Sequence, residues 1–160
     1  MRELYTSVFL LVIIFTFCFY NSPARSAHVV CGEDKEFLKG LESKYGERVI
    51  EQGIDEQTLI LITANLKRNW TILITPKNKP HTLCVLASGH HWTQEEYVSK
   101  GIANNGDIIS FIYKDDGTWT MMYFSKTVGQ VKEITTGYGW ERLIDLTKLT
   151  GSERVIHRRR

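Results

Sequence analysis

Residues Gly53–Trp92 read GIDEQTLILITANLKRNWTILITPKNKPHTLCVLASGHHW, and residues Gly101–Trp140 read GIANNGDIISFIYKDDGTWTMMYFSKTVGQVKEITTGYGW. Both stretches open with Gly-Ile, carry Trp-Thr near the middle and close on Gly-x-x-Trp. Gly53, Ile54 and Ile60 meet Gly101, Ile102 and Ile108 at an offset of 48 residues. Trp70-Thr71 meets Trp119-Thr120 at 49, and Gly89 and Trp92 meet Gly137 and Trp140 at 48 again. One inserted residue before the second Trp-Thr, compensated after it, accounts for the change. The pattern predicts a degenerate tandem repeat of a small β unit. Two copies can cover each other's apolar faces where one alone would leave its own exposed.

Within each copy the apolar residues fall at strand spacing. Glu47–Gly53, Leu59–Asn65, Trp70–Thr75 and Thr82–Ser88 are rich in Ile, Leu, Val, Thr and Trp, and turn residues separate them. In the second copy Ile108–Tyr113 and Thr118–Phe124 flank Asp115-Asp116-Gly117, a hairpin signal, and Gln130–Thr136 supplies a third strand. A helix is expected over Glu33–Tyr45, where Phe37, Leu38, Leu41 and Tyr45 share one face and Gly46 is a natural stop. Thr93 and Glu96 form a capping-box pattern that predicts a second helix over Gln94–Ser99. Leu143, Ile144, Leu146 and Leu149 suggest a closing helix. The expected class is α+β, a short helix plus an antiparallel meander, repeated twice. The expected units are 27–92 and 93–147, between a leader over 1–26 and a basic tail over 148–160.

Leu4 to Tyr20 is almost wholly apolar, follows Arg2, and precedes small residues at Ser22, Ala24 and Ser26. That order predicts a cleaved secretory signal peptide, and hence a secreted or periplasmic chain. An inner-membrane anchor over residues 4–20 is the alternative, although that length sits at the lower limit for crossing a bilayer. Removing the leader removes Cys18 and leaves Cys31 and Cys84. Two cysteines in an exported chain suggest a disulfide. A bridge would tie the helix to the sheet and close a loop of about 54 residues, worth roughly 4 kcal/mol by the chain-entropy argument. Two metal-ligating thiolates are the alternative, without a Cys-x-x-Cys pairing to support them.

The formal net charge is +2. The leader carries +1 and residues 148–160 carry +4, so the body between them is about −3. Basicity confined to a tail argues against a nucleic-acid-binding face, while leaving contact with anionic lipid or an acidic partner open.

The first unit also carries Cys31, Tyr45-Gly46-Glu47, Gly53-Ile54, Trp70-Thr71-Ile72-Leu73, Cys84, Ala87-Ser88-Gly89 and Trp92. This pattern, over residues 31–92, resembles a group of small secreted bacterial proteins without an assigned activity. The resemblance implies an exported single-domain protein with a helix–sheet disulfide and carries over no catalytic residue. The second unit departs from it, with Lys132 in place of the cysteine and Thr135-Thr136-Gly137 in place of Ala-Ser-Gly.

Candidate chemistry is sparse. His90 and His91 are expected in a loop after a strand, with His81 and Cys84 near in sequence, and imidazole is a common metal ligand. Adjacent histidines on extended backbone point apart, so His81 with His90 is the better pair for one ion. Asp115 and Asp116 read as turn formers rather than an acid/base pair. No Gly-x-Ser-x-Gly, His-Glu-x-x-His or phosphate-loop motif occurs, and no cofactor is expected. Trp70, Trp92, Trp119 and Trp140 occupy matching places and suit a core. Trp92 and Trp140, next to glycines, are the candidates for partial exposure and ligand contact, alongside His90 and His91. Asn69-Trp70-Thr71 fits a glycosylation sequon that matters only in a host with that machinery. The expected function is an exported, non-catalytic binding or accessory module of the cell envelope, with an envelope protein or polysaccharide as partner. A small metal-dependent protein or enzyme using His81, His90 and His91 is the alternative.

Overall fold

A computed structural model describes residues 29–56 and 58–148; the leader, the expected cleavage site and most of the basic tail lie outside the described residues. The chain forms one antiparallel sheet. β1 (Cys31–Glu33) leads into helix α1 (Asp34–Tyr45). Eight strands follow: β2 (Arg48–Asp55), β3 (Thr58–Ala64), β4 (Trp70–Ile74), β5 (Thr82–Gln94), β6 (Val98–Ala103), β7 (Ile108–Tyr113), β8 (Trp119–Ser125) and β9 (Gln130–Arg142). Each strand from β2 onward pairs with the next, and β9 returns to β2, where Ile54 pairs with Tyr138 and Glu51 with Arg142. The result is a closed eight-stranded up-and-down barrel, which removes most sheet edges.

The meander was legible from the period-2 pattern, but the balance of helix and strand was not. α1 forms where the helical spacing placed it. It ends at Gly46, whose φ of +69° lets its N–H reach Glu42 O while the Glu47 N–H reaches Leu41 O. The helix expected over Gln94–Ser99 is absent. Gln94 ends β5, Glu95–Tyr97 turn, and Val98 starts β6, because β5–β6 pairing closes the barrel here and overrides a local capping signal. The expected closing helix is reduced, among the described residues, to a single turn over 146–148. Among the described residues the protein is therefore mostly β, with α1 as its one long helix. The boundary expected at residue 92/93 falls inside β5, and both units share one sheet.

β5 and β9, of 13 residues each, are about twice as long as their neighbours because each serves two partners. The first part of β5 pairs with β4 and its end with β6; β9 likewise pairs with β8 and then β2. Each strand bends at a bulge near a residue with positive φ, His91 (+59°) in β5 and Gly139 (+65°) in β9. Just before each bend a tryptophan lies flat on a glycine of the next strand, Trp70 opposite Gly89 and Trp119 opposite Gly137. The bend turns a carbonyl inward to meet the indole: Trp70 Nε1 donates to His90 O at 2.9 Å, and Trp119 Nε1 donates to Tyr138 O at 3.1 Å. Gly53 and Gly101 admit the same rings from the far side. A Cβ on Gly53 would stand 2.8 Å from Trp119 Nε1 and 2.8 Å from Trp140 Cε3.

Register corrects one detail of the sequence alignment. Ile54 pairs with Leu59, and Ile102 pairs with Ile108, so the longer β6–β7 turn makes Ile108 the counterpart of Leu59. Ile60 then corresponds to Ile109, and both are buried while Ile108 faces out. The extra residue before the second Trp-Thr lies upstream of Ile108, in the turn before β7, rather than after it.

Two apolar layers result. Ile60, Ile62, Trp70, Ile72, Trp92, Phe111, Trp119 and Met121 fill the barrel interior. Outside it, α1 lays Phe37, Leu38 and Leu41 over Leu61, Leu73 and Leu83. The Cys31–Cys84 disulfide forms as expected from the cysteine arithmetic. Its location differs: Cys31 is in β1, directly opposite Cys84 of β5, so the bridge joins two strands rather than helix to sheet.

Candidate functional site

The expected ligand residues do not form one site. Trp92 is fully buried, wedged 5.3 Å from Trp70 and 6.3 Å from Phe111 between ring centroids. Trp140 is half-buried and stacks on Phe111 at 4.8 Å and on Tyr113 at 5.7 Å. Both lie within strands, not loops, and Trp92 offers no surface to a ligand. The extension of β5 through Gly89–Gln94 also moves the histidines. His81 lies just before β5 and His90 within it, so nine residues of extended chain separate them by on the order of 25–30 Å. They cannot share an ion. His81 instead sits 3.8 Å from Asp34. His90 and His91 do approach, at 4.7 Å between ring centroids, because the bulge breaks the alternation that would send them to opposite faces. Among the described residues no group of three or more His, Cys, Asp or Glu is placed to hold a metal ion.

Asp115 and Asp116 sit at the β7–β8 turn. Asp116 accepts from the Thr118 hydroxyl at 2.6 Å and the Thr118 N–H at 2.9 Å, and these bonds hold its carboxyl below the usual range. That is turn chemistry.

The most unusual polar group is one that single-residue reading missed. Glu51 of β2 is completely buried. Its Oε1 accepts from Gln94 Nε2 at 2.5 Å and Ser99 Oγ at 2.7 Å, and Arg142 Nε lies 3.6 Å away. Burial raises its pKa, while the bonds from Ser99 and Gln94 and the Arg142 charge oppose that rise. Gln94 also donates to Ile144 O and accepts from the Leu146 N–H, so the cluster seals one end of the barrel. Arg142 goes on to the Glu95 carbonyl at 2.5 Å and to the Tyr113 hydroxyl. The signal was present in the sequence. Glu51 and Ser99 are 48 residues apart, as are Gln94 and Arg142, so the repeat offset maps each pair onto itself. These bonds tie β2, β5, β6 and β9 together around one buried carboxylate.

The remaining surface is asymmetric. The middle row of the β2–β5 outer face, Gln52–Leu61–Leu73–Val85, is apolar over β3–β5, and that part packs with α1. The matching row of the β6–β9 face is Lys100–Ser110–Met122–Glu133, which no helix among the described residues covers. Beside it an apolar row crosses four strands, Ile102–Ile108–Phe124–Val131, with His90 paired to Ile102 at its end. A shallow hollow follows this row, lined by His90, Ile102, Ile108, Phe124 and Lys126. Asp107 fixes the adjoining turns to each other. It accepts from the Tyr123 hydroxyl, from the Lys126 N–H at 2.9 Å and from Asn105 Nδ2 at 2.6 Å, and those bonds, Tyr123's foremost, depress its pKa.

No protein-family model matches the chain, and neither a curated protein nor a solved structure matches it significantly.

His91 supplies a direct test of the corner geometry. A non-glycine residue at positive φ is strained by roughly 1–3 kcal/mol, part of which glycine returns through its own unfolded-state entropy. His91→Gly, which copies Gly139, is expected to stabilise the protein by about 1 kcal/mol in urea unfolding. An unchanged or lower midpoint would show that the His91 ring contributes more than its backbone costs.

Proposed function

We propose that this chain is a non-catalytic, exported binding or accessory module of the bacterial cell envelope, built from two copies of one β unit, that holds a protein partner on the outer face of β6–β9. One observation carries the reading. Indole and phenyl rings fill the barrel interior, while an apolar row of four strands is left partly in solvent on that face. Ile108 is 37% exposed and Val131 63% exposed. An exposed apolar row rimmed by polar residues is the usual mark of a protein contact. Polysaccharide is the weaker partner, because sugars stack on exposed aromatic rings and Trp70, Trp92 and Trp119 are all buried. Matching Trp–Gly contacts at both corners support the duplication. A disulfide supports an oxidising compartment, as the apolar leader does. Among the described residues no helix is long and apolar enough to cross a membrane.

The alternative, a metal-dependent protein or enzyme using His81, His90 and His91, retains only the close His90–His91 pair. The test is capture from envelope extracts by the native exported chain and by an Ile108→Asp/Phe124→Asp variant. Both side chains point outward, so the variant is expected to keep its melting behaviour and lose the partner. Equal capture by both proteins would remove the face from consideration.

A further inference from the structure

Among the described residues β9 leaves a length of barrel edge open, and the same molecule shows what such an edge accepts. Residues Gln130–Gly137 of β9 pair with β8 on one side, and β9 joins β2 only from Tyr138 onward. On the other side, Gln130–Ile134 has no strand partner among the described residues, and all five residues are exposed. The counterpart in β5 is Thr82–Cys84, since Cys84 stands opposite Ile74 as Lys132 stands opposite Tyr123. That edge is occupied. β1 lies antiparallel along it, with Cys31 opposite Cys84, Gly32 opposite Leu83 and Glu33 opposite Thr82. The Val85 N–H donates to Val30 O at 2.9 Å, and the Asp34 N–H donates to His81 O at 3.0 Å. By the same register Glu133 N–H and Gly129 C=O bracket the open edge of β9.

We propose that an extended segment of a partner protein adds to β9 as an antiparallel strand along Gly129–Glu133, in the mode that β1 uses on β5. Strand addition takes its affinity from main-chain hydrogen bonds and its selectivity from the side chains opposite. Val131 asks for an apolar residue, Lys132 for an acidic one and Glu133 for a basic one, so the partner strand reads basic–acidic–apolar from its N-terminus. A second copy of this chain fits less well. A two-fold pairing over the open Gln130–Ile134 centres on Lys132 and sets two ammonium groups opposite each other. Lys132 and Glu133 also blunt the edge against indiscriminate pairing, as charges on edge strands generally do.

The inference deepens the binding-module reading by naming how a partner is gripped, and its test separates the two. The probe is a labelled peptide of residues 29–34 carrying Val30→Lys, Cys31→Asp and Gly32→Val, titrated into the exported chain and followed by amide NMR and fluorescence anisotropy. Amide shifts are expected along Gly129–Ile134. Val131→Pro removes an outward N–H while leaving the β8 side intact, and is expected to weaken binding at least tenfold; Lys132→Glu is expected to weaken it severalfold. Lys67→Ala, exposed in the β3–β4 turn and remote from both the face and the edge, is expected to leave peptide binding unchanged. Absence of binding, shifts on another surface, or equal binding by Val131→Pro overturns the proposal. A concentration-dependent dimer that Val131→Pro dissociates would instead give the edge to a second copy. If extract capture fails in Ile108→Asp/Phe124→Asp while Val131→Pro captures normally, the face reading stands and the edge does not.

Discussion

Alanine at Gly137 is expected to abolish the folded barrel, while alanine at Gly40 leaves it intact and slightly more stable. A Cβ on Gly137 would stand inside the van der Waals envelope of the Ile54 carbonyl oxygen and of the Trp119 ring. The carbonyl belongs to the β2–β9 seam and the ring fills the core beneath it, so neither can withdraw without opening the barrel. Overpacking a well-filled core usually costs roughly 1–3 kcal/mol, and a clash against backbone lies beyond that range. Total stability for a domain of this size is on the order of 5–15 kcal/mol, so the variant is expected to be largely unfolded at 37 °C. Gly89→Ala meets the matching obstruction, the Ile102 carbonyl oxygen and Trp70, and is expected to behave alike. Gly40 sits in α1 with nothing within 4 Å of an added methyl, and glycine in a helix interior costs about 0.5–1 kcal/mol relative to alanine. Far-UV circular dichroism with urea titration reads all three. A native-like, cooperative Gly137→Ala would show that the Trp119–Gly137 stacking is not what fixes the corner.

The second large effect is expected at Glu51. Glu51→Ala leaves the Gln94 amide and the Ser99 hydroxyl without their acceptor and Arg142 without its counter-charge, in a site closed by Leu146. Breaking a buried pair by removing one partner typically costs about 3–5 kcal/mol. The native carboxyl should also leave a signature in the pH dependence of stability. Burial raises its pKa in the folded state above the ordinary value of 4.5, so the folded chain binds this proton more tightly than the unfolded chain. Its contribution is therefore fully present below pH 4.5 and is lost as the pH rises through the folded-state value. Glu51→Gln cannot titrate and is expected to flatten that part of the curve while retaining more stability than Glu51→Ala. Superimposable pH profiles for native and Glu51→Gln protein would show that the carboxyl does not titrate in that window.

The sequence revealed most where a pattern repeated. The glycines and tryptophans that match at the 48–49 residue offset are the ones that build the two corners. Strand positions in the first unit were legible because apolar alternation and Pro-rich turns agree there. The failures share a cause. Thr93-x-x-Glu96 is a helix signal at short range, and only the pairing of Gln94 with Ser99 across a closing seam makes it a strand end and turn. Gly-x-x-Trp looked like a strand exit, yet the positive φ at His91 and Gly139 lets the chain turn the corner while still in the sheet. His90 and His91 consequently sit side by side where strict alternation would part them. The Glu51 cluster was hidden because its members lie on four strands and only the repeat offset relates them. The surface row was obscured by the alignment itself. Matching Ile60 to Ile108, with the extra residue after them, concealed that Ile108 faces solvent while Ile109 is the buried counterpart.

The join between β2 and β9 bears on how the chain reaches this form. Every other neighbouring pair in the barrel is a hairpin that nearby residues can zip, whereas Glu51 must find Arg142 and Ile54 must find Tyr138 across most of the described chain. Long-range pairings of this kind slow folding, because the entropy of closing a long loop is lost before the contacts form. The strand ladders of each half should therefore appear early. The buried carboxylate should find its partners late, when the first and last barrel strands meet.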